Sequence, residues 1–325
     1  MFDALSTVLP AQAIPYLELA LGLAALIVCG NWLVTGSVQL ARFLKIGTFI
    51  VGLTVVAYGT SAPEMFISIG AGLRGAHDIA IGNVIGSNIA NIGAILATVA
   101  VIATIPIRNK SLAFDLAAMF VVTALLFVFG LDSAIGRVEG LVLVCALAVY
   151  TSWSLVRAKK RAPDDAAESA PHSMNPLAAA ALLLAALVGL KFGSDWFVEG
   201  ARGIALKWGV TERVIAVSIV AVGTSSPELV TSMVAVFRKE NDLSIGNIIG
   251  SNMFNIAGVL GVTAAVTPLS IGDRSLFVSD MIWLFAFSAL LLLAMLPLSR
   301  GKVSRIEGGV LLSLFATYMV VLYRG

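Results

Sequence analysis

The sequence predicts an all-α polytopic membrane protein with ten transmembrane helices arranged as two inverted five-helix repeats. Three observations lead to this fold class. Only 12% of the 325 residues are charged and 59% are hydrophobic, whereas a soluble domain carries about a quarter charged residues. The chain also contains ten long apolar runs, and its two halves repeat the same motifs. These features exclude an ordinary soluble protein.

Each apolar run meets the need of a membrane-spanning helix for about 20 apolar residues. A single polar stretch interrupts the series after the fifth run, so we expect a first repeat over 1–157, a linker over 158–175 and a second repeat over 176–325. The predicted spans are 14–40, 45–73, 79–104, 111–131, 137–157, 176–204, 210–237, 243–267, 275–296 and 304–323.

The connections between the spans predict the orientation of the chain, because cytoplasmic loops carry an excess of Lys and Arg. With ten spans, thirteen of these residues lie on the side of the linker and seven on the side of the termini. We therefore expect a multi-pass protein of the cell (inner) membrane, with both termini outside and the linker 158–175 in the cytoplasm.

An internal repeat relates the two halves. Residues 52–96 match 216–260 at a constant offset of 164 without a gap, and 21 of the 45 positions are identical. Because each repeat covers five spans, an odd number, the second copy must enter the membrane from the opposite side. Inverted repeats are typical of secondary transporters, whose sites lie near the midplane where the repeats meet.

The motif GTSAPE at 59–64 recurs as GTSSPE at 223–228, each time inside an apolar run. Proline cannot donate a helical hydrogen bond, so Pro63 and Pro227 are expected to break their helices. The carbonyl oxygens of Gly59 and Gly223, which lose their helical donors in this way, are ligands that suit Na⁺ and Ca²⁺. Helical spacing then predicts one polar face in each copy: Ala57 (through its carbonyl), Thr60, Ser61, Glu64 and Ser68, and Ala221, Thr224, Ser225, Glu228 and Ser232.

The following span of each repeat carries a matching polar face in the motif GNxxGSNxxN. Asn83, Ser87 and Asn91 recur every four residues, and so do Asn247, Ser251 and Asn255. A face of small and polar residues is by itself a common helix-packing surface. The two glutamates favour an ion site instead, because a carboxylate at the centre of a bilayer is costly unless it is paired, protonated or bound to a metal ion.

Four further acidic residues occur in the predicted spans. Asp195 and Glu199 follow Lys191 at helical spacing, which predicts an internal ion pair. Asp115 and Asp280 lie near the ends of the fourth and ninth spans, where capping or loop contacts are expected.

The paired GTSxPE and GNxxGSNxxN motifs resemble the two alpha-repeats of the calcium:cation antiporter superfamily, specifically those of prokaryotic sodium/calcium exchanger-like proteins. The resemblance covers all ten spans. It implies two inverted five-helix halves, broken second and seventh spans packed against the third and eighth, and alternating access in which Na⁺ entry drives Ca²⁺ export. The ligands that it implies are Ala57, Thr60, Ser61, Glu64, Ser87, Asn91, Ala221, Thr224, Ser225, Glu228, Ser251 and Asn255.

Some prokaryotic relatives carry an aspartate where this chain has Asn255, so only two carboxylates remain at the centre. Two alternatives to Na⁺/Ca²⁺ exchange stay open: a Ca²⁺(cation)/H⁺ exchanger on the same scaffold, and a cation channel. An enzyme is not expected, because the central motifs contain no histidine and no pair of aspartates. We expect no cofactor, no nucleic acid and no obligate protein partner; the expected partners are Ca²⁺, Na⁺ and the lipid bilayer.

Overall fold

A computed structural model describes residues 13–107, 112–160, 174–210, 221–295 and 301–324, and these are almost entirely helical. The helices are α1 (Ile14–Leu44), α2 (Thr48–Thr60), α3 (Ala62–Leu73), α4 (His77–Ile102), α5 (Leu112–Phe129), α6 (Arg137–Lys160), α7 (Pro176–Lys207), α8 (Ala221–Thr224), α9 (Ser226–Phe237), α10 (Asn241–Val266), α11 (Arg274–Met295) and α12 (Arg305–Arg324). The strands are β1 (Ile105–Pro106), β2 (Ala134–Ile135), β3 (Leu269–Ser270) and β4 (Lys302–Val303).

Within the described ranges, eight helices are long and apolar enough to cross a membrane: α1, α4, α5, α6, α7, α10, α11 and α12. The pair α2 and α3, bent by 44° at its junction, supplies a ninth candidate span. The predicted seventh span, 210–237, is described only at 210 and from 221 onward, where it includes the twelve-residue helix α9. The all-helical membrane fold is therefore confirmed, and the count of ten stays a prediction.

The predicted linker lies mostly outside the described residues. Helix α6 continues to Lys160, so the first three positions of 158–175 are helical, and α7 begins directly after the linker at Pro176. Asn175 caps α7, since its side-chain oxygen accepts a hydrogen bond of 2.7 Å from the amide of Ala178, which satisfies one of the free amides of the first turn.

Helices α4 and α10 occupy the centre of the molecule. In their most apolar windows 67% and 89% of the residues are buried, against 17% in α12. Both helices widen into π-helical segments, at Asn91–Leu96 and Phe254–Leu260. Such segments are rare and often occur at functional sites. Each begins at or just before the asparagine that closes the repeated motif.

Close contacts between the halves follow the internal repeat. A Cβ on Gly140 of α6 would meet the backbone of Gly261 in α10, and one on Gly308 of α12 would meet the backbone of Ala97 in α4. The short strands also pair across the halves, β1 with β4 and β2 with β3, both antiparallel. The last helix of each half therefore packs on the third predicted span of the other half: α6 packs on α10, and α12 packs on α4.

Candidate ion-binding site

The two GTSxPE motifs each interrupt a helix, as predicted. Ser61 leaves helical geometry at φ −88° and ψ 7° between α2 and α3. Ser225 has nearly the same angles, −90° and 9°, between α8 and α9. In both cases the proline occupies the first turn of the second helix, where its missing amide hydrogen costs nothing. The glutamate follows in that same turn.

Glu64 and Glu228 are both buried, with 1% and 3% of their surface exposed. The hydroxyl of Ser61 donates a hydrogen bond of 3.1 Å to Oε1 of Glu228, which joins the break in one half to the carboxylate of the other. The second carboxylate oxygen, Oε2, has no hydrogen-bond partner in either residue. Neither glutamate forms a salt bridge within the described part of the chain. A buried carboxylate without a counter-charge is strongly unfavourable, so this arrangement suits a bound cation.

The faces of α4 and α10 meet these breaks through a repeated amide contact. Asn83 donates a hydrogen bond of 2.9 Å to the hydroxyl of Ser68 and one of 3.3 Å to the backbone carbonyl of Glu64. Asn247 donates an equivalent bond of 3.1 Å to Ser232. The sequence places these four residues on the polar faces but outside the implied ligand set. The structure shows them holding α3 and α9 against α4 and α10.

The remaining implied ligands on these helices are buried in the same region. Ser87, Asn91, Ser251 and Asn255 are at most 8% exposed. The side-chain amide of Asn255 donates a hydrogen bond of 3.3 Å to Oδ1 of Asn88. Oδ1 of Asn255 and Oγ of Ser251 have no hydrogen-bond partner among the described residues. These two oxygens are therefore free to contact a cation.

Asn88 was missed by the sequence analysis, although its position gave a signal. It is the asparagine of the GSN tripeptide at 86–88, which recurs at 250–252 with Asn252. Its contact with Asn255 crosses the two halves, so sequence spacing within one helix cannot reveal it.

Two backbone carbonyls of the breaks accept hydrogen bonds within the protein. The carbonyl of Gly223, expected to be freed by Pro227, accepts a hydrogen bond of 2.8 Å from the hydroxyl of Ser194 in α7. The carbonyl of Ala57 accepts bonds from the Ser61 amide at 3.0 Å and from the Thr60 hydroxyl at 3.4 Å. Both carbonyls therefore already have donors within the protein.

Of the other predicted ligands in the breaks, the structure describes the side chains of Thr60, Thr224 and Ser225. The Thr60 hydroxyl lies 3.5 Å from Oδ1 of Asn247 across the halves. Ser225 is buried, and Thr224 lines a cavity together with Ser87. Ala221 is the first residue of α8, and its side chain lies outside the described part of the structure.

A metal centre built from side-chain charge alone is not present among the described residues, since no three of their His, Cys, Asp or Glu side chains come together. The site instead combines two carboxylates with hydroxyl and amide oxygens. This donor set suits hard cations such as Na⁺ and Ca²⁺, which bind oxygen ligands.

The acidic residues outside the motifs behave differently from one another. Lys191 and Asp195 form the ion pair that their spacing predicts. Asp115, expected in a capping or loop contact, is fully buried instead. It accepts a hydrogen bond of 2.9 Å from the hydroxyl of Tyr150 and lies 3.4 Å from Nη2 of Arg157. Asp280 accepts a longer bond of 3.4 Å from Tyr318.

Comparison with known proteins finds relatives along nearly the whole chain. The family model described as "sodium/calcium exchanger protein" matches residues 15–156 and 178–324. The putative antiporter CaxA of Alkalimonas amylolytica is 34% identical over 308 residues, which are 93% of this chain and 96% of CaxA. The sodium/calcium exchanger MaX1 of Methanosarcina acetivorans is 29% identical over 350 residues, 95% of this chain and 98% of MaX1.

The fold also matches a solved structure. The sodium-calcium exchanger NCX_Mj, soaked with 2.5 mM Na⁺ and 0.1 mM Ca²⁺, superposes with a TM-score of 0.80 at 32% sequence identity. The match covers 94% of this chain and 97% of that one.

Proposed function

Because the chain belongs to the sodium/calcium exchanger protein family, we propose that it is a secondary antiporter that exchanges Na⁺ for Ca²⁺ at the site between its two halves. In this proposal ten spans form two inverted five-helix repeats in the cell (inner) membrane, with both termini outside. The site is exposed to one side of the membrane and then to the other, which is alternating access. The relatives that are named sodium/calcium exchangers support the choice of ions.

One observation carries the proposal: each half has a buried glutamate in the first turn after a helix break, and the break of one half contacts the glutamate of the other. This contact is the hydrogen bond from Ser61 in the first half to Glu228 in the second. A movement of one half against the other would therefore change the ligands that a cation contacts. This coupling between ligand geometry and the arrangement of the halves is what alternating access requires.

The charge of the site supports exchange of these two ions. With Glu64 and Glu228 ionised, the centre carries two negative charges, which one Ca²⁺ or two Na⁺ would neutralise. An unbalanced charge in a low-dielectric interior is costly, and both loaded states avoid it because each leaves the centre neutral. Asn255, where some family members have an aspartate, keeps the charge at two.

We propose twelve ligands for the cation. The most direct are the unpartnered oxygens of Glu64, Glu228, Ser251 and Asn255. Ser61, Thr60, Ser87, Asn91, Thr224 and Ser225 would contribute hydroxyl or amide oxygens. Ala57 and Ala221 would contribute only their backbone carbonyls.

The test is Ca²⁺ uptake into proteoliposomes that contain the purified protein. We expect vesicles loaded with Na⁺ and diluted into Na⁺-free buffer to accumulate Ca²⁺, and vesicles loaded with choline to accumulate far less. Uptake driven by a pH gradient alone, with no stimulation by Na⁺, would show a Ca²⁺/H⁺ exchanger instead. Uptake that needs no counter-ion and does not saturate would show a channel.

A further inference from the structure

Asn88 of α4 is a buried residue of the GNxxGSN motif that the proposed ligand set leaves out. Its Oδ1 accepts a hydrogen bond of 3.3 Å from the side-chain amide of Asn255 in α10. Asn255 is buried as well, and it is one of the proposed ligands. The contact therefore joins a proposed ligand of the second half to a residue of the first half.

The internal repeat does not impose this contact, because the aligned residue behaves differently. Asn252 occupies the position of Asn88 in the second half. Its amide donates a hydrogen bond of 2.7 Å to the carbonyl of Ile248 on its own helix, and its Oδ1 has no hydrogen-bond partner among the described residues. The repeat-related bond, from Asn91 to Asn252, is thus not formed in the described part of the chain. The contact of Asn88 is specific to Asn255.

The backbone of Asn255 is held by the residue before it. The ring of Phe254 stacks on that of Tyr58 in α2, with 4.4 Å between the ring centroids, and the hydroxyl of Tyr58 is hydrogen-bonded to that of Thr151 in α6. This stack fixes the point from which the side chain of Asn255 starts. The last torsion of an asparagine side chain is broad and roughly two-fold, so a hydrogen bond is needed to set which way the amide is turned.

The orientation of this amide decides whether Asn255 attracts or repels a cation. An asparagine carries one carbonyl oxygen and one NH₂ group, and only the oxygen is a ligand for Na⁺ or Ca²⁺. A carboxylate at the same position would present an oxygen in either orientation. An amide instead needs a fixed acceptor for its NH₂ group, and Oδ1 of Asn88 is such an acceptor.

We propose that Asn88 is a positioning residue for the cation site: its Oδ1 holds the NH₂ group of Asn255 and thereby directs the carbonyl oxygen of Asn255 to the cation. This inference rests on the proposed function, in which Asn255 is a ligand of Ca²⁺. Asn88 acts through Asn255 and does not contact the ion itself. Because the two residues belong to different halves, the orientation of this ligand depends on the contact between α4 and α10.

A purely structural role for Asn88 predicts different results. Hydrogen bonds between polar side chains are a common link between membrane helices, and such a link acts on stability whether or not Asn255 keeps its side chain. A positioning residue acts on the affinity for Ca²⁺, and only while the amide of Asn255 is present. The two roles are therefore separated by a double-mutant cycle.

The first experiment measures Ca²⁺ binding to the purified protein in Na⁺-free buffer by isothermal titration calorimetry. It compares Asn88→Ala, Asn255→Ala and the double variant with the unmodified protein. We expect each single variant to raise the Kd of Ca²⁺ by roughly fivefold, because each removes one hydrogen bond or one neutral ligand. The double variant should match Asn255→Ala within about twofold, because no amide is left for Asn88 to orient.

Two outcomes of this cycle would overturn the proposal. One is an unchanged Kd in Asn88→Ala. The other is a double variant whose loss of affinity equals the product of the two single losses, since independent effects multiply in the Kd.

A conservative variant and a matched control accompany the cycle. Asn88→Asp keeps an acceptor for the NH₂ group of Asn255, so it should not raise the Kd of Ca²⁺; weaker binding by a monodisperse Asn88→Asp sample would contradict the proposed role. Asn252→Ala removes the aligned and equally buried asparagine, whose bond stays within α10. Its Kd should stay within about twofold of that of the unmodified protein. A rise equal to that of Asn88→Ala would show a general effect of the motif and refute the assignment.

The second experiment measures Na⁺-driven Ca²⁺ uptake into proteoliposomes. We expect Asn88→Ala to raise the Ca²⁺ concentration for half-maximal uptake by roughly fivefold without lowering the maximal rate. A lower maximal rate at an unchanged half-maximal concentration would assign Asn88 a purely structural role and contradict the proposal. Absence of Na⁺-driven uptake in the unmodified protein would refute the proposed function, whereas the binding experiment would still decide the role of Asn88.

Discussion

Glu64 and Glu228 occupy identical motifs but have different surroundings. Glu228 accepts a hydrogen bond from Ser61, whereas Ser225 makes no equivalent bond to Glu64 within the described part of the chain. The carbonyl of Gly223, next to the second break, accepts a hydrogen bond from Ser194. The residue that aligns with Ser194 in the first half is Gly30, which has no side chain to form such a bond. The site is therefore asymmetric at the level of single side chains, although the repeat is nearly symmetric in sequence.

The glutamates carry the first residue-scale prediction. Glu64→Gln or Glu228→Gln should lower Na⁺-driven Ca²⁺ uptake by at least about tenfold, because each removes half of the charge that balances Ca²⁺ in a low-dielectric site. The protein should still insert and purify as a monodisperse sample, since glutamine is nearly isosteric. Glu199→Gln is the matched control: Glu199 also lies in a predicted span, but it is exposed and paired with Arg202. Uptake close to normal in either of the first two variants would exclude that glutamate as a ligand.

At the scale of elements, the position of α10 depends on two glycines that face α2. A Cβ on Gly246 would meet the carbonyl oxygen of Phe49, and a Cβ on Gly250 would meet that of Leu53. This close approach brings Asn247 up to the helix break, where its Oδ1 lies 3.5 Å from the hydroxyl of Thr60. The glycines of GNxxGSN therefore set the distance between α2 and α10, and this short distance allows the neighbouring polar residue Asn247 to contact α2.

Gly246→Ala should destabilise the protein, because the added methyl group forces α10 away from α2. Overpacking of this kind costs about 1–3 kcal/mol, which is measurable as a lower melting temperature of the detergent-solubilised protein. Gly309 of α12 is the matched control, because nothing among the described residues lies within 4 Å of a methyl group added there. Gly309→Ala should therefore melt close to the unmodified protein. Equal melting temperatures for the two variants would contradict this account of the α2–α10 contact.

At the scale of the whole molecule, elements of each half pack against elements of the other half. Helix α6 packs on α10 and helix α12 packs on α4. The short strands also pair between the halves, β1 with β4 and β2 with β3. The site at the helix breaks is accordingly built from residues of both halves, as the contacts of Ser61 with Glu228 and of Thr60 with Asn247 show.

The orientation of the chain is testable by cysteine labelling of intact cells. The parent for this experiment carries Cys29→Ala and Cys145→Ala, because Cys145 is exposed on the surface of α6. A cysteine at position 169 of the linker should resist an impermeant maleimide, and one added after Gly325 should react. Opening the cells should make the first site reactive, which shows that it was protected by the membrane. The reverse pattern would refute the orientation that the Lys and Arg bias predicts.

The membrane fold, the helix breaks and the motifs of the site were determined by the sequence alone, because each rests on local chemistry. Apolar length predicts a span, proline removes a helical donor, and a carboxylate in an apolar run needs a partner. The internal repeat extended these local signals to a second copy. The Lys191–Asp195 pair was predictable for the same reason, since both residues lie on one helix.

Only the tertiary structure decided which groups meet across the halves. The bond from Ser61 to Glu228, the contact between Asn88 and Asn255, and the use of the Gly223 carbonyl by Ser194 each join residues on different helices. The same holds for Asp115, whose partners lie on α6, and for Asp280, whose partner Tyr318 lies on α12. Helical periodicity predicts which face of a helix is polar, but the rotation and distance of its neighbours depend on packing along the whole length of both helices.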